Sequence, residues 1–587
     1  MRTIAKSLLM AALLLPVPAL ARIEISIPNV SEAIQTNVLA FLSLTRYADR
    51  DDVTDEVMSR LQRRIVAETR QALEPLGYYE PEVSYDVQQQ GELWNVTVNI
   101  EPGRPVRLSE VGVDVTGPGA NDRAIRELID TEEIKPGLRL NHGTYDRVKG
   151  NLLRVAKNEG YLDAKLTRHE LVIDRVERRA TVDLQADTGE RYRFGEITIA
   201  QDVISDEAMR RLLRMQPGDP YTLDTLLRTQ YVLDDTQYFS VVDIESGEPN
   251  RESRTVPITV SAEPSRRHRY AASIGYATDT EVRGKFTWDD RRVNEDGHKF
   301  KLELLGSSII TDLTGRYAIP VMDIALEKLE FTGRLRDEEL GDTESERVEA
   351  GAGLTQVLGR WQRVLQVRLS NETTTEADGA SNENFYVLPS VTYSTLPSYI
   401  VGGRRRPYFF SAELRGSPET LGSDASFVQL RLKGERLFDL SELWHLHLRS
   451  ELGVSHIFTE DDPLDDGRDA TELPASQRFF AGGEGSVRGF ALNELAPRDD
   501  AGRTVGGRHL ATGTVEIVRD LPRNFGIAAF FDIGNAFEDF SDPRLERAAG
   551  VGVRYNIAVA SFGIDVAQAL SQSGRSPRLH LYIATQF

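Results

Sequence analysis

Two periods divide the chain. Over the first 265 residues, apolar positions recur at three- and four-residue intervals and then at every second residue; from about residue 266 onward the period is two. The spacing predicts a helix through Val53, Val57, Leu61 and Ile65. A second passes through Tyr145, Val148, Leu152 and Val155 with Thr144 as its N-cap, and a third through Leu223, Leu226, Leu227 and Tyr231 behind Thr222. Alternating runs follow the first two, at Trp94, Val96, Val98 and Ile100 and at Val182 and Leu184. They read as strands on which each helix buries one face.

This plan repeats. Gly77-Tyr78 returns as Gly160-Tyr161, 83 residues on (160 − 77), and Tyr238-Phe239 takes the third place. Pro136-Gly137 returns as Pro217-Gly218, 81 residues on (217 − 136). Periods this long exceed those of stacked solenoids, so each unit is large enough for a core of its own. We expect three α+β units, over 22–105, 106–190 and 191–265.

Beyond them, Phe300, Leu302 and Leu304 alternate with Lys299, Lys301 and Glu303, and Leu365, Val367 and Leu369 with Gln366 and Arg368. Trp444, Leu446, Leu448, Leu452 and Val454 alternate with His445, His447, Arg449 and Glu451. A charged face backing an apolar one suits a strand between a wet lumen and lipid. After the N-terminal segment no stretch offers the ~18 uncharged apolar residues of a membrane helix. Only helices and closed barrels satisfy the backbone inside a bilayer. With ~9–11 residues per strand and roughly 20 per strand plus connection, residues 266–587 accommodate about 16 strands of a transmembrane antiparallel β-barrel. The acid-rich stretch 459–474 suits an extracellular loop, and the last alternating run ends on an aromatic, Phe587.

The N-terminus adds a compartment. Arg2 and Lys6, the apolar run from Leu8 to Leu15 and Ala19-Leu20-Ala21 have the form of a cleavable signal peptide over 1–21. Cysteine is absent, which excludes disulfides and thiolate metal sites. A formal charge of −21 argues against a nucleic-acid partner, which needs a basic footprint.

Candidate chemistry concentrates in one segment. Arg478 to Phe490 forms a glycine-rich turn, with Gly482, Gly483, Gly485 and Gly489, and carries Arg488 near its tip. Downstream lie Glu516, in Thr514-Val515-Glu516-Ile517, and Asp532, in Phe530-Phe531-Asp532-Ile533-Gly534-Asn535-Ala536-Phe537. The planar guanidinium fork suits carboxylates, so Arg488 has Glu516, Asp532 or both as partners. Enzymatic patterns are weak. The glycine spacing is one residue off the dinucleotide pattern and lacks a βαβ context. Ser486 is not in a nucleophile elbow, because Glu484 stands where that motif has glycine. His445 and His447 share a strand face, with no further metal ligand evident. No catalytic, cofactor or metal site is expected.

The Val487-Arg488-Gly489-Phe490 core and the F-x-D-x-G-x-x-F strand resemble the signatures of the Omp85 superfamily, and the three α+β units resemble its periplasmic POTRA domains. The resemblance implies a lumenal loop locked by Arg488, Gly489 and Phe490 against Glu516 and Asp532. It implies a lateral seam between the first strand, near Ile274, and the last, near Ile583, Ala584 and Phe587, where client strands template. Relatives often carry glycine where Ala584 stands. Three units resemble the translocation and assembly module branch more than the five-unit insertases or the two-unit exporters. That branch implies an outer-membrane barrel in the lipid bilayer with its arm in the periplasm. It also implies unfolded outer-membrane protein clients, autotransporters among them, a TamB-like periplasm-spanning inner-membrane partner on the arm, and no cofactor. Two alternatives stay open: an exporter pore of the two-partner-secretion type, and a passive channel or receptor.

Overall fold

The computed structural model describes residues 22–48, 50, 53–91, 93–131, 134–376, 379–396, 408–458, 473–557 and 560–585. The signal segment 1–21, residues 459–472 of the acid-rich stretch, and Phe587 lie outside them. The described residues form three three-stranded sheets and a closed barrel of sixteen antiparallel strands, in agreement with the expected fold class. Two compact units divide the chain: Met1–Thr198 with Met215–Leu227 and Ser246–Ile258, and Ile199–Arg214 with Arg228–Glu245 and Thr259–Phe587.

Each small module runs strand, two helices, two strands. The first is β1 (Arg22–Ser26), α1 (Glu32–Phe41), α2 (Asp55–Leu73), β2 (Glu82–Gln90) and β3 (Leu93–Glu101). The second is β4 (Arg107–Thr116), α3 (Arg123–Thr131), α4 (His142–Asn158), β5 (Lys165–Asp174) and β6 (Arg179–Asp187). The third is β7 (Arg193–Ala200), α5 (Asp206–Leu212), α6 (Leu223–Asp235), β8 (Phe239–Ser246) and β9 (Thr255–Pro264). The last strand of each sits in the middle of its sheet, and β1 and β4 run parallel beside it. The sequence pattern predicts the second helix and the closing strands but not the leading strand and first helix. At five and ten residues, β1 and α1 are too short to display a period.

The helix faces differ from expectation in three places. In α2, Met58, Leu61 and Ile65 are buried while Val57 is half-buried. The N-cap of α4 is Asn141, whose Oδ1 accepts the Thr144 amide at 3.2 Å, so Thr144 lies within the first turn. In α6 the core face is Leu226, Thr229 and Leu233; Leu223, Leu227 and Tyr231 are exposed. A buried threonine explains that rotation, because its hydroxyl accepts the Arg214 amide at 3.2 Å and so tolerates the core.

The repeated Gly-Tyr pair is a joint. Gly77 and Gly160 adopt left-handed φ of +87° and +91°. A Cβ there would stand 2.4 Å from the Leu140 carbonyl oxygen and 2.2 Å from that of Tyr221. The Gly77 carbonyl accepts the Val106 amide at 2.8 Å, and the Leu140 amide donates to the Val106 carbonyl at 2.9 Å. Gly160, Tyr192 and Tyr221 repeat this pattern at 2.9 and 3.0 Å. Polar side chains close each joint: Tyr79 OH lies 2.6 Å from His142 Nε2, and Asp163 accepts from Tyr192 at 2.9 Å and Arg254 at 2.5 Å. Burial, with Glu74 nearby, pushes the Tyr79 phenol up to about 12.

The third joint carries the same design onto the barrel. Gln237 takes the left-handed position, the Tyr238 carbonyl accepts the Ser265 amide at 2.9 Å, and the buried Tyr238 hydroxyl donates to the Gly297 carbonyl at 2.5 Å. Arg214 grips Asp323 with two bonds, at 2.6 and 2.8 Å, and holds that carboxyl below its usual range.

The barrel runs from β10 (His268–Ala277) to β25 (Arg578–Thr585), each strand pairing with its neighbour in sequence. Its faces alternate as predicted: Val348 is 60% exposed beside Glu349 at 5%. The outward apolar row continues through Leu365, Val367 and Leu369.

Gly160→Ala combines a strained φ with a backbone clash, whereas Gly218, at φ +93°, has open space around its Cβ direction. Gly218→Ala should cost only the conformational penalty of about 1 kcal/mol. Gly160→Ala should in addition lose hydrogen-exchange protection at the Tyr192 and Tyr221 amides; equal protection in the two variants would contradict this view of the joint.

Candidate functional site

In the connection between β20 (Trp444–Ile457) and β21 (His509–Leu521), the segment from Phe479 to Leu495 folds back against the inner wall. Phe479, Ala481, Val487, Phe490 and Leu495 are buried with Leu510, Ala536, Ala548 and Ala569. Those four wall residues lie on β21, β22 (Phe525–Phe537), β23 (Glu546–Ile557) and β24 (Ala560–Ala569) respectively. Small wall residues make room: at Gly453 a Cβ would meet the Phe479 ring at 2.3 Å. Gly482, at φ +104°, lets the loop turn so tightly that a Cβ would stand 2.2 Å from the Ala491 carbonyl oxygen. Antiparallel bridges Phe479↔Gly507 and Ala481↔Leu495 fasten the flanks.

Arg488 sits at the centre, 2% exposed. Its Nε donates to Asp532 Oδ2 at 2.8 Å and Nη2 to Asp532 Oδ1 at 3.0 Å, a bidentate pair. Its backbone amide donates to Asp532 as well, at 3.1 Å. Nη1 donates to Glu516 at 2.7 Å and to Asp565 at 3.1 Å. The guanidinium also lies 3.3 Å from the centroid of the Phe530 ring. Arg554 completes the cluster, donating to Glu516 at 3.3 Å and to Asp565 at 3.1 Å. The two predicted carboxylates thus share Arg488 with a third. Strand alternation puts Asp565 and Arg554 on inward faces, but nothing local in the sequence pairs them with a loop 77 and 66 residues away (565 − 488; 554 − 488). Gly489 donates its amide to His580 Nε2 at 3.4 Å, and Phe490 is fully buried.

Such a cluster ties the loop to three wall strands. Desolvation offsets much of the attraction, but removing one member strands the others, at a cost of ~3–5 kcal/mol. The histidines noted in the sequence are engaged elsewhere: His445 lies 2.7 Å from Asp439 and 3.1 Å from Asp520, and His447 3.9 Å from Glu435. Among the described residues no three His, Asp or Glu side chains converge to hold a metal ion.

The seam lies beside this cluster. Among the described residues β10 and β25 pair at two positions, Tyr276↔Ile583 and Ala277↔Tyr582, extended by the Thr278 amide donating to the Leu581 carbonyl at 3.1 Å. On its other side β10 pairs with β11 (Glu281–Asp290) through ten positions, and β25 with β24 through eight. β25 stays with β24 as far as Thr585, Ala584 standing opposite Ser561, but leaves β10 after Ile583. A short seam therefore forms with alanine, not glycine, at 584. The residue facing Ile583 is Tyr276. Ile274, outward and 68% exposed, lies two residues from Tyr276 on the same strand, beyond the last pair among the described residues.

Comparison with known proteins places these features in a family. Residues 370–587 match the Omp85 superfamily domain, 24–102 the TamA-type POTRA domain 1, and 192–264 a POTRA model described as a surface antigen variable number repeat. The outer membrane protein assembly factor BamA of Nitratidesulfovibrio vulgaris is 22% identical over 371 residues, 60% of this chain and 45% of that protein. The BamA of Neisseria meningitidis serogroup B is 19% identical over 569 residues, covering 76% of this chain and 70% of that one. The crystal structure of Haemophilus ducreyi BamA lacking POTRA domains 1–3 superposes with a TM-score of 0.64 at 14% identity, over 82% of this chain and 99% of that chain. It shares the fold.

Arg488→Ala should leave a folded, heat-modifiable barrel whose segment 473–508 is newly open to protease. Arg488→Lys should protect it little better, since an ammonium cannot make the bidentate bond while reaching two further carboxylates. Wild-type protection in the alanine variant would show that the apolar contacts alone hold the loop.

Proposed function

We propose, from the premise that this chain belongs to the Omp85 superfamily and carries a TamA-type POTRA domain, that it is the outer-membrane subunit of a protein translocation and assembly module. Its barrel lies in the outer membrane and its POTRA domains in the periplasm. Its clients are unfolded outer-membrane proteins, autotransporters among them, and its POTRA arm docks a TamB-like protein that spans the periplasm.

The observation that carries this reading is the two-pair seam. Inside a bilayer every backbone amide and carbonyl needs a partner. From His268 to Gly275, β10 has no strand partner on its seam side among the described residues. An unpaired edge recruits another strand by main-chain hydrogen bonds, with little dependence on sequence. A client hairpin that pairs there gains backbone satisfaction at the moment it enters lipid. Strands near the seam are also short. β10, β11 and β24 have ten residues and β12 (Lys299–Gly306) and β25 have eight, against sixteen in β15 (Thr343–Leu358) and β16 (Trp361–Glu376). A bilayer that thins to match them lowers the barrier to insertion. Arg488, Gly489, Phe490, Glu516 and Asp532 hold the inner loop in the lumen while the seam works. A passive channel or two-partner exporter would instead pass its cargo through that lumen, where the loop lies.

A Tyr276→Cys/Ile583→Cys pair tests the mechanism, because directly opposed antiparallel residues stand ~4.5–5.5 Å apart at Cα, within disulfide reach. Oxidation should stop client assembly without unfolding the barrel, and reduction should restore it. Unchanged assembly with a verified crosslink would favour the lumenal route.

Deleting 22–105 should abolish capture of the periplasm-spanning partner while the barrel still inserts. Undiminished co-purification of the partner would remove the first module from that role.

A further inference from the structure

The seam has a second fastening that its strands do not supply. Asp279 lies in the turn between β10 and β11, two residues past Ala277, and its side chain is 5% exposed. Its Oδ2 accepts the Glu484 amide at 2.7 Å, from the same loop that carries Arg488. Gly483 makes that approach possible, since a Cβ there would stand 2.7 Å from the same oxygen. On the other side of the seam, His580 of β25, 1% exposed, accepts the Gly489 amide at Nε2. Its Nδ1 stands 3.8 Å from Asp279 Oδ2, too far for a hydrogen bond. Six residues of loop, Glu484 to Gly489, thus reach from the turn after β10 to the last strand. Arg488, in between, anchors them to β21, β22 and β24.

We propose that Asp279 is the latch of the seam: the loop clips β10 to the rest of the barrel through the Asp279–Glu484 bond, in place of the strand pairs that β10 and β25 do not make. This rests on the seam being the working edge. The two ends of the loop are unequal. Arg488 makes five hydrogen bonds to three carboxylates, whereas Asp279 accepts one, from a backbone amide. Strain on the seam therefore releases β10 first and leaves the loop seated on the far wall. Release is also the cheaper step. Asp279 Oδ1 and His580 Nδ1 are buried without a hydrogen-bond partner in the closed seam, and water reaches both once β10 moves away. Opening then frees one strand edge while the Arg488 cluster keeps the lumen filled.

The test is amide hydrogen exchange on the full chain in lipid nanodiscs, with no client present. Asp279→Ala should speed exchange at the Glu484, Thr278 and Leu581 amides by about tenfold, the scale of one hydrogen bond to a charged group. Protection on β21 and β22 around Glu516 and Asp532 should be unchanged. Asp279→Asn keeps an acceptor oxygen without the charge and should fall between alanine and wild type. It also serves if the alanine variant fails to fold. Faster exchange at Glu484 with wild-type rates at Thr278 and Leu581 would overturn the latch, as would loss of protection throughout β21–β24. Because this assay involves no client, it separates the two ideas. A loosened seam in Asp279→Ala, together with normal assembly by the disulfide-closed barrel, would keep the latch and discard templating at the seam.

Discussion

A chain that crosses a bilayer as strands must pair every strand edge, and among the described residues this barrel leaves one edge nearly unpaired. Two residue pairs and one further backbone bond close β10 against β25; the neighbouring ladders run to eight and ten. Closure is therefore a tertiary matter. It depends on what lies behind the seam, and what lies behind it is a loop held by a buried arginine. Arg488, the small residues that admit the loop, and the inward carboxylates of β21, β22 and β24 form one device.

The joints of the arm answer a different demand with the same economy of parts. A left-handed residue ends a helical segment, a carbonyl there accepts the first amide of the next segment, and at Gly77 and Gly160 the extended link between the next module's helices covers it. Even a methyl group at Gly77 or Gly160 would collide with one backbone carbonyl, that of Leu140 or Tyr221. At the barrel the position accepts Gln237, and side chains supply the rest: the Arg214–Asp323 pair and the Tyr238 hydroxyl on Gly297. The third module is thereby tied to the periplasmic turns nearest the seam, those that follow β11 and the fourth barrel strand (Ile310–Pro320).

Much of this was legible in the chain. Period-two alternation is a local property, and it predicted a barrel and which charges face inward; the length of the segment and the family resemblance supplied the number of about sixteen strands. The Gly-Tyr recurrence predicted the modules. The Val487–Phe490 segment and the Asp532 strand pointed to Arg488, Glu516 and Asp532, which the fold brings together. What escaped was non-local. Asp565, Arg554 and His580 are ordinary polar positions on alternating strands, and Asp279 an ordinary turn residue, until the barrel closes and sets residue 279 against residue 484. Register escaped too: alternation says which face Ile274 and Ile583 occupy, but not that Tyr276 is the residue opposite Ile583. The α6 face was misread because a hydrogen-bonded Thr229 takes a core position that hydrophobic counting assigns to leucine and tyrosine.

The central claim is that the β10 edge receives client strands. Because the chain contains no cysteine, single cysteines placed from His268 to Ala277 can be crosslinked to a cysteine-bearing autotransporter strand stalled during assembly. The account predicts crosslinks along β10 that alternate with a period of two, as a paired strand requires, and none at matched outward positions on β15 and β16. Crosslinks spread evenly around the barrel, or confined to lumen-facing positions, would contradict it.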